Sequence, residues 1–254
     1  VTRPAHQADS LCRLIEAYGG VAIRCPALLI GEPQDWRPAL AIFDRLAEVD
    51  VAIFTSANAV DRALPLIRQR GGLPPRLEIA AIGKATAQAL ARHDVARCLQ
   101  PQAGFNSEAL LALPRLQNVV GQRVVIVRGE GGRELLAETL TARGATVIYA
   151  EVYRRERPTM DMGVLLKRWQ RGEIGAVVVA SSETLLNLFD MLGIAGQDDL
   201  RKTPIIAASP RILPIAAQLG CYSLRLAQAA GDDAIAAALL ELAANPSPLV
   251  GNAP

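Results

Sequence analysis

Ile53-Phe54-Thr55-Ser56-Ala57 and Val178-Val179-Ala180-Ser181-Ser182 decide how this chain is folded. Each is an apolar run ending in small hydroxyl residues, and Ser56 to Ser181 is a step of 125 residues. The same step separates Arg3, in Val1-Thr2-Arg3-Pro4, from Arg128, in Ile126-Val127-Arg128-Gly129. Each arginine precedes a helical pattern and then a glycine that leads into a strand. A third pair, Ala81-Ile82-Gly83-Lys84 against Ala207-Ala208-Ser209-Pro210, drifts to a step of 126. Similarity at a fixed step marks a duplicated architecture. The chain reads as segments a (1–30), b (49–114), a′ (122–153) and b′ (175–243).

Within the segments, short apolar runs alternate with amphipathic stretches. The runs are Val21-Ala22-Ile23, Val51-Ala52-Ile53-Phe54, Ile79-Ala80-Ala81-Ile82, Val124-Val125-Ile126-Val127, Val147-Ile148-Tyr149, Ala176-Val177-Val178-Val179 and Ile205-Ile206-Ala207. Nearly continuous apolar character suits parallel strands covered by helices on both faces. Helices are predicted over 8–18, 58–70, 85–92, 107–113, 133–143, 183–192, 212–219 and 233–243. Gly19, Gly71, Gly144, Gly193 and Gly220 stand where helices stop. Such alternation predicts an α/β fold of doubly wound parallel sheets.

Segment a supplies two strands and one helix, too little for a core of its own. Two closures are open: a with b and a′ with b′ in series, or b with a′ as one lobe and a joined to b′ as the other. The link from b to a′, over 114–121, is short and that from a to b is long, with a turn-rich stretch over 31–38, which favours the second. The predicted division is a first lobe of 1–29 plus 157–245 and a second lobe of 34–150 inserted into it. Two linker strands, 30–33 and 151–156, join them, and a flexible tail covers 246–254.

The 254 residues are 51% hydrophobic and 20% charged, enough for two cores, with 27 Lys and Arg against 25 Asp and Glu. A net charge of +2 supplies no global field toward nucleic acid or a membrane. Cys12, Cys25, Cys98 and Cys221 are scattered without a C-x-x-C pair, as expected of thiols in a reducing compartment. No apolar run reaches the roughly 20 residues of a membrane span. No charged-then-apolar leader is present, and Val1-Thr2-Arg3-Pro4 reads as the end of a strand whose first residues precede Val1. These features read as a soluble, cytoplasmic protein.

In open α/β sheets, ligands bind at the carboxyl ends of the strands, where helix N-termini collect. The candidates there are Arg3, Thr55, Ser56, Gly83, Lys84, Thr86, Arg128, Gly129, Gly131, Gly132, Ser181, Ser182 and Ser209. Amides, hydroxyls, arginines and close-approach glycines suit a ligand with several anionic groups. Helix capping is the competing use of each Ser and Thr. The Arg128–Arg133 stretch lacks the third glycine of a dinucleotide fingerprint and the Lys-Ser/Thr of a nucleotide-triphosphate loop. With only His6 and His93, no metal-ligand spacing or Ser–His–Asp set emerges, so no metal site is expected. Tyr153, with Tyr149 near the expected hinge, is the one side chain singled out as a proton or hydrogen-bond donor. Packing between lobes is its alternative role.

Several stretches together resemble one family. They are Thr2-Arg3-Pro4, Phe54-Thr55-Ser56-Ala57-Asn58, Ile82-Gly83-Lys84-Ala85-Thr86-Ala87, Gly104-Phe105-Asn106-Ser107-Glu108, Val127-Arg128-Gly129-Glu130-Gly131-Gly132-Arg133-Glu134 and Val152-Tyr153-Arg154-Arg155. In order and spacing the chain, from Val1 to about Leu242, is similar to uroporphyrinogen-III synthases of the bacterial type. The resemblance implies a cofactor-free, monomeric lyase of tetrapyrrole and haem biosynthesis with two flavodoxin-like lobes and a cleft between them. Such an enzyme cyclises hydroxymethylbilane, inverts its last ring and releases water. It also implies that Tyr153 assists departure of the hydroxyl and that Thr86 lies in a binding loop. Pro210-Arg211-Ile212 departs from the hydroxyl-rich turn of some members. The rival reading is a non-enzymatic two-lobed protein that binds a polyanionic small molecule.

Overall fold

A computed structural model describes residues 1–104 and 106–245. Phe105 of the Gly104–Glu108 motif and the expected flexible tail from Pro246 lie outside the described residues. In chain order the first elements are α1 (Ala5–Ala17), β1 (Leu29–Gly31), α2 (Arg37–Phe43), β2 (Val51–Phe54), α3 (Ala57–Gln69), β3 (Glu78–Ala81) and α4 (Lys84–Arg92). Then come α5 (Ser107–Leu111), α6 (Pro114–Gln117), β4 (Arg123–Gly129), α7 (Leu135–Ala142), β5 (Thr146–Glu156) and α8 (Gly163–Gln170). The last are β6 (Val177–Val179), α9 (Ser182–Lys202), β7 (Ile205–Ala207), α10 (Ile212–Gln218), β8 (Leu224–Leu226) and α11 (Asp232–Ala244). The chain divides into an inserted unit, Ile30–Arg155, and a flanking unit made of Val1–Leu29 with the chain from Glu156 onward.

The sheet of the inserted unit has the order β1-β5-β4-β2-β3. The pairs β2–β3, β2–β4 and β4–β5 are parallel. Every residue of β2 is buried, as a parallel strand between helical layers requires. One core cluster gathers Val51, Ile53, Val124, Ile126, Leu136 and Leu140.

In the flanking unit β6, β7 and β8 form a parallel sheet. Val177, Val179, Ile205 and Ala207 join one core cluster, while Val178 and Ile206 join another with Leu11 and Ile235. That is the period-two alternation of strands with both faces covered. The predicted strand at 21–23 is not formed as such. Its place is taken by ladder bonds two residues long: Val1 N donates to Ile23 O (2.8 Å), Cys25 N to Val1 O (2.9 Å) and Ala27 N to Thr2 O (3.0 Å). Thr2 N in turn donates to Val178 O (3.3 Å), which carries the ladder on to β6.

Helix boundaries follow local chemistry. Ser56, Asn106 and Ser181 accept at the N-caps of α3, α5 and α9 from Ala59 N (3.0 Å), Ala109 N (2.8 Å) and Thr184 N (3.1 Å). Gly144, at φ +86°, stops α7 in a left-handed conformation with Val120 3.3 Å from where a Cβ would stand. Gly193, at φ +60°, breaks α9, and the chain then resumes a helix that the sequence reading did not foresee. Three further helices were missed. Pro38 and Pro114, read as turn punctuation, sit in the first turns of α2 and α6, where a missing N–H is harmless. The third is α8, and β8 was missed as a strand. Residues 151–156 are no separate linker strand but the second half of the 11-residue β5, with β1 hydrogen-bonded beside it.

Leu140 is fully buried in the core of the inserted unit. Leu140→Ala is expected to cost about 2–5 kcal/mol through lost burial and the cavity left behind. A lowered urea midpoint at unchanged slope is the measurement that checks it.

Candidate functional site

The registers Phe54↔Ala81, Phe54↔Val127 and Val127↔Ala150 bring the carboxyl ends of β2, β3 and β4 together beside the middle of β5. Thr55, Ser56, Gly83, Lys84, Thr86, Arg128, Gly129 and Gly131 follow those ends. Lys84 is exposed, Gly83 is the extended N-cap residue of α4, and Thr86 is buried on that helix. In the flanking unit, Val179↔Ala207 aligns the ends that carry Ser181, Ser182 and Ser209. Arg3 follows Thr2 beside them.

Both units share one device at these ends. Thr55 donates to Val127 O through N (3.1 Å) and Oγ1 (3.2 Å). Thr2 donates in the same way to Val178 O (3.3 and 2.8 Å). The hydroxyls of Ser56 and Ser181 are occupied as caps, and Ser182 Oγ donates to Arg211 O (3.3 Å). The carbonyl of Ser209 accepts from Ile212 N (3.1 Å). Arg3 forms an ion pair with Asp232 and donates to Ala230 O (3.2 Å), so its charge is already met within the protein.

Arg128 is likewise engaged, and it is buried. Its guanidinium donates to Gly129 O (3.2 Å), to Gly131 O and to Glu134 Oε1 (3.2 Å). It also lies 4.5 Å over the ring of Tyr149, and Glu151 stands 3.9 Å away. These contacts fasten the loop that turns through Gly131 and Gly132 at φ +69° and +107°. Glu130 N donates to Tyr153 O (2.8 Å) and Gly131 N to Glu151 Oε1 (3.3 Å), so the loop backbone is tied to β5 as well. Tyr149 hydroxyl donates to Glu134, whose carboxyl is held below its ordinary value first by that bond and then by Arg128. Burial, followed by the bond to Glu134, pushes the Tyr149 phenol up to about 12.

Tyr153 is 1% exposed, the largest fully buried side chain described. Its hydroxyl lies 3.1 Å from Ser56 Oγ, and Arg155 Nη2 donates to it at 3.4 Å. Either hydroxyl can donate in that pair, because Ser56 Oγ, which accepts from Ala59 N, has a second lone pair. When Ser56 donates, the phenol accepts twice and keeps its proton for another acceptor. The sequence reading missed Arg155 as a partner and missed the cluster of Glu134, Tyr149 and Glu151. Clustering of Arg and Glu around the Gly131-Gly132 turn is the only signal that could have pointed to it. His93 is the C-cap residue of α4 and sits 3.1 Å from Asp61.

Ultraviolet titration of the four tyrosines is expected to show one phenol ionising near 12, lost in Tyr149→Phe. Unfolded, that phenol ionises near 10, so the fold binds its proton more tightly. Its contribution to stability is complete below pH about 10 and disappears as pH rises toward about 12. Glu134→Gln should lower the ionisation only in part, since burial is the larger cause.

Comparison with known proteins gives a consistent result. A family model described as uroporphyrinogen-III synthase HemD matches residues 9–237. The uroporphyrinogen-III synthase of Escherichia coli (strain K12) is 37% identical over 244 residues, covering 94% of this chain and 98% of that protein. The Salmonella typhimurium synthase is 35% identical over the same coverage. Two solved structures share the fold. One is a mutant uroporphyrinogen III synthase from the extremely thermophilic bacterium Thermus thermophilus (TM-score 0.64, 16% identity, 96% of this chain and 99% of that one). The other is the Helicobacter pylori 26695 uroporphyrinogen-III synthetase (TM-score 0.59, 15% identity, 86% and 92%). The binding-protein alternative draws no support from these relatives. By the extent of the family match and of its full-length relatives, the chain belongs to the uroporphyrinogen-III synthase family.

Proposed function

We propose that this chain closes the linear tetrapyrrole hydroxymethylbilane to uroporphyrinogen III, inverting the last ring and releasing water. The observation that carries the reading is a buried phenol hydrogen-bonded to Ser56 and Arg155, beside strand ends rich in amides and hydroxyls. It occurs in a chain that matches synthases over nearly their whole length.

The chemistry sets two demands. The terminal hydroxyl must leave as water, which takes one proton and generates an azafulvenium cation. The last pyrrole must then attack through its substituted carbon, giving a spiro intermediate that fragments and recloses inverted, and the ring carbon finally loses a proton. Tyr153 supplies the first proton, and its burial keeps bulk water from competing for it. Regiochemistry is a matter of how the flexible chain is held. Acetate and propionate groups on every ring suit backbone N–H groups and hydroxyls near helix N-termini, at Thr55, Ser56, Gly83, Lys84, Thr86, Gly129 and Gly131. Ser181, Ser182 and Ser209 offer a matching set in the flanking unit. Arg3 and Arg128 belong to the binding set mainly through the loops they fasten.

The same reading has the enzyme working as a monomer in the cytoplasm, without cofactor, membrane or nucleic acid. Among the described residues no helix is long and apolar enough to cross a membrane.

Incubation with enzymatically made hydroxymethylbilane, followed by oxidation and separation of porphyrin isomers, is expected to give the type III isomer in excess. Type I alone would rule the activity out. Tyr153→Phe should lower kcat by on the order of 100-fold without abolishing turnover, the lower range for loss of a general acid. Unimpaired turnover in that variant removes Tyr153 from the mechanism.

A further inference from the structure

The ring of Tyr153 occupies the space into which a side chain at position 129 would project. A Cβ added to Gly129 would stand 2.5 Å from Cε2, 2.6 Å from Cζ and 3.1 Å from Cδ2 of that ring. Gly129 is not among the positive-φ glycines, so its backbone does not demand glycine. What the position demands is room.

The ring reaches that space through an irregularity in β5. Ladder partners run Ile126↔Tyr149, Val127↔Ala150 and Arg128↔Glu151, and then jump to Gly129↔Tyr153. Val152 is therefore an extra residue, a bulge in the strand. In an unbroken strand Tyr149, Glu151 and Tyr153 would share one face. Tyr149 and Glu151 do share a face, around Arg128. Gly129 projects to the opposite face, and there the bulge delivers Tyr153, within reach of Ser56. The duplicated copy lacks the pair: one 125-residue step back from Gly129 and Tyr153 stand Pro4 and Leu28.

We propose that Gly129, together with the bulge at Val152, is a positioning residue that sets where the Tyr153 phenol stands. The inference rests on the reading of Tyr153 as the proton donor. Gly129→Ala forces the ring to shift, and with it the hydroxyl. The expected result is a fall in kcat of about 10–100-fold with KM within about twofold, the scale of an ångström-sized misplacement. A larger share of type I isomer should accompany it.

Two double-mutant cycles test this. In a Tyr153→Phe background, Gly129→Ala should lower kcat far less than it does alone, because the misplaced hydroxyl is already absent. If the two effects multiply while Tyr153→Phe alone is impaired, the positioning role is overturned and the proton-donor reading stands. If Tyr153→Phe alone is fully active, both fall. The second cycle reads thermal stability, so a poorly folding Gly129→Ala still gives an answer. With Tyr153→Ala the ring is gone, and Gly129→Ala should then be close to neutral. Equal destabilisation with and without the ring would overturn the proposal, because position 129 would then need glycine for some other reason.

Discussion

A parallel strand buried on both faces can place polar chemistry only where it ends, because along its length every side chain meets a helix. In β2, β6 and β7 no residue is exposed, and donors gather immediately after each strand. There the backbone leaves the ladder, helix N-termini leave amides unpaired, and threonine or serine completes the hydrogen bonding. Thr2 and Thr55 show how tightly this boundary is fixed, each tying its strand end to the neighbouring carbonyl with two donors. The candidate site follows from that constraint as much as from any single residue.

Duplication produced two such rims, and they have diverged. Ser56 and Ser181 cap equivalent helices, yet Ser56 meets a phenol while Ser181 meets the hydroxyl of Thr184 at 2.8 Å. Arg3 and Arg128 are both turned inward, one toward Asp232 and one beneath a glycine turn. An arginine at a strand end looks like an arm for carboxylates when read from sequence. Packing here makes each a fastener for the loop beside it.

Most of the fold was legible because apolar runs and glycine stops are local signals. Gly19, Gly71, Gly144, Gly193 and Gly220 all have the positive φ that glycine tolerates where a helix stops. The misreadings have local causes too. Pro38 looked like a turn although it suits a helix start. The 21–23 strand depends on a partner only two residues long. The positions of Arg3, Ser56 and Tyr153 at strand ends or on β5 could be read from pattern. Their partners could not, since Asp232 and Ser56 are brought to Arg3 and Tyr153 across 229 and 97 residues by the winding of the sheets.

The extra residue in β5 has a consequence for comparing distant relatives. Tyr149 and Tyr153 differ by an even count yet lie on opposite sides of the sheet, so column-by-column matching misleads along this strand. A relative with its tyrosine shifted by one place, and no bulge, would present the phenol to the same neighbours. One with the tyrosine in the same column but a regular strand would turn it away. Equivalence in this part of the family is a matter of which side of the sheet a residue faces.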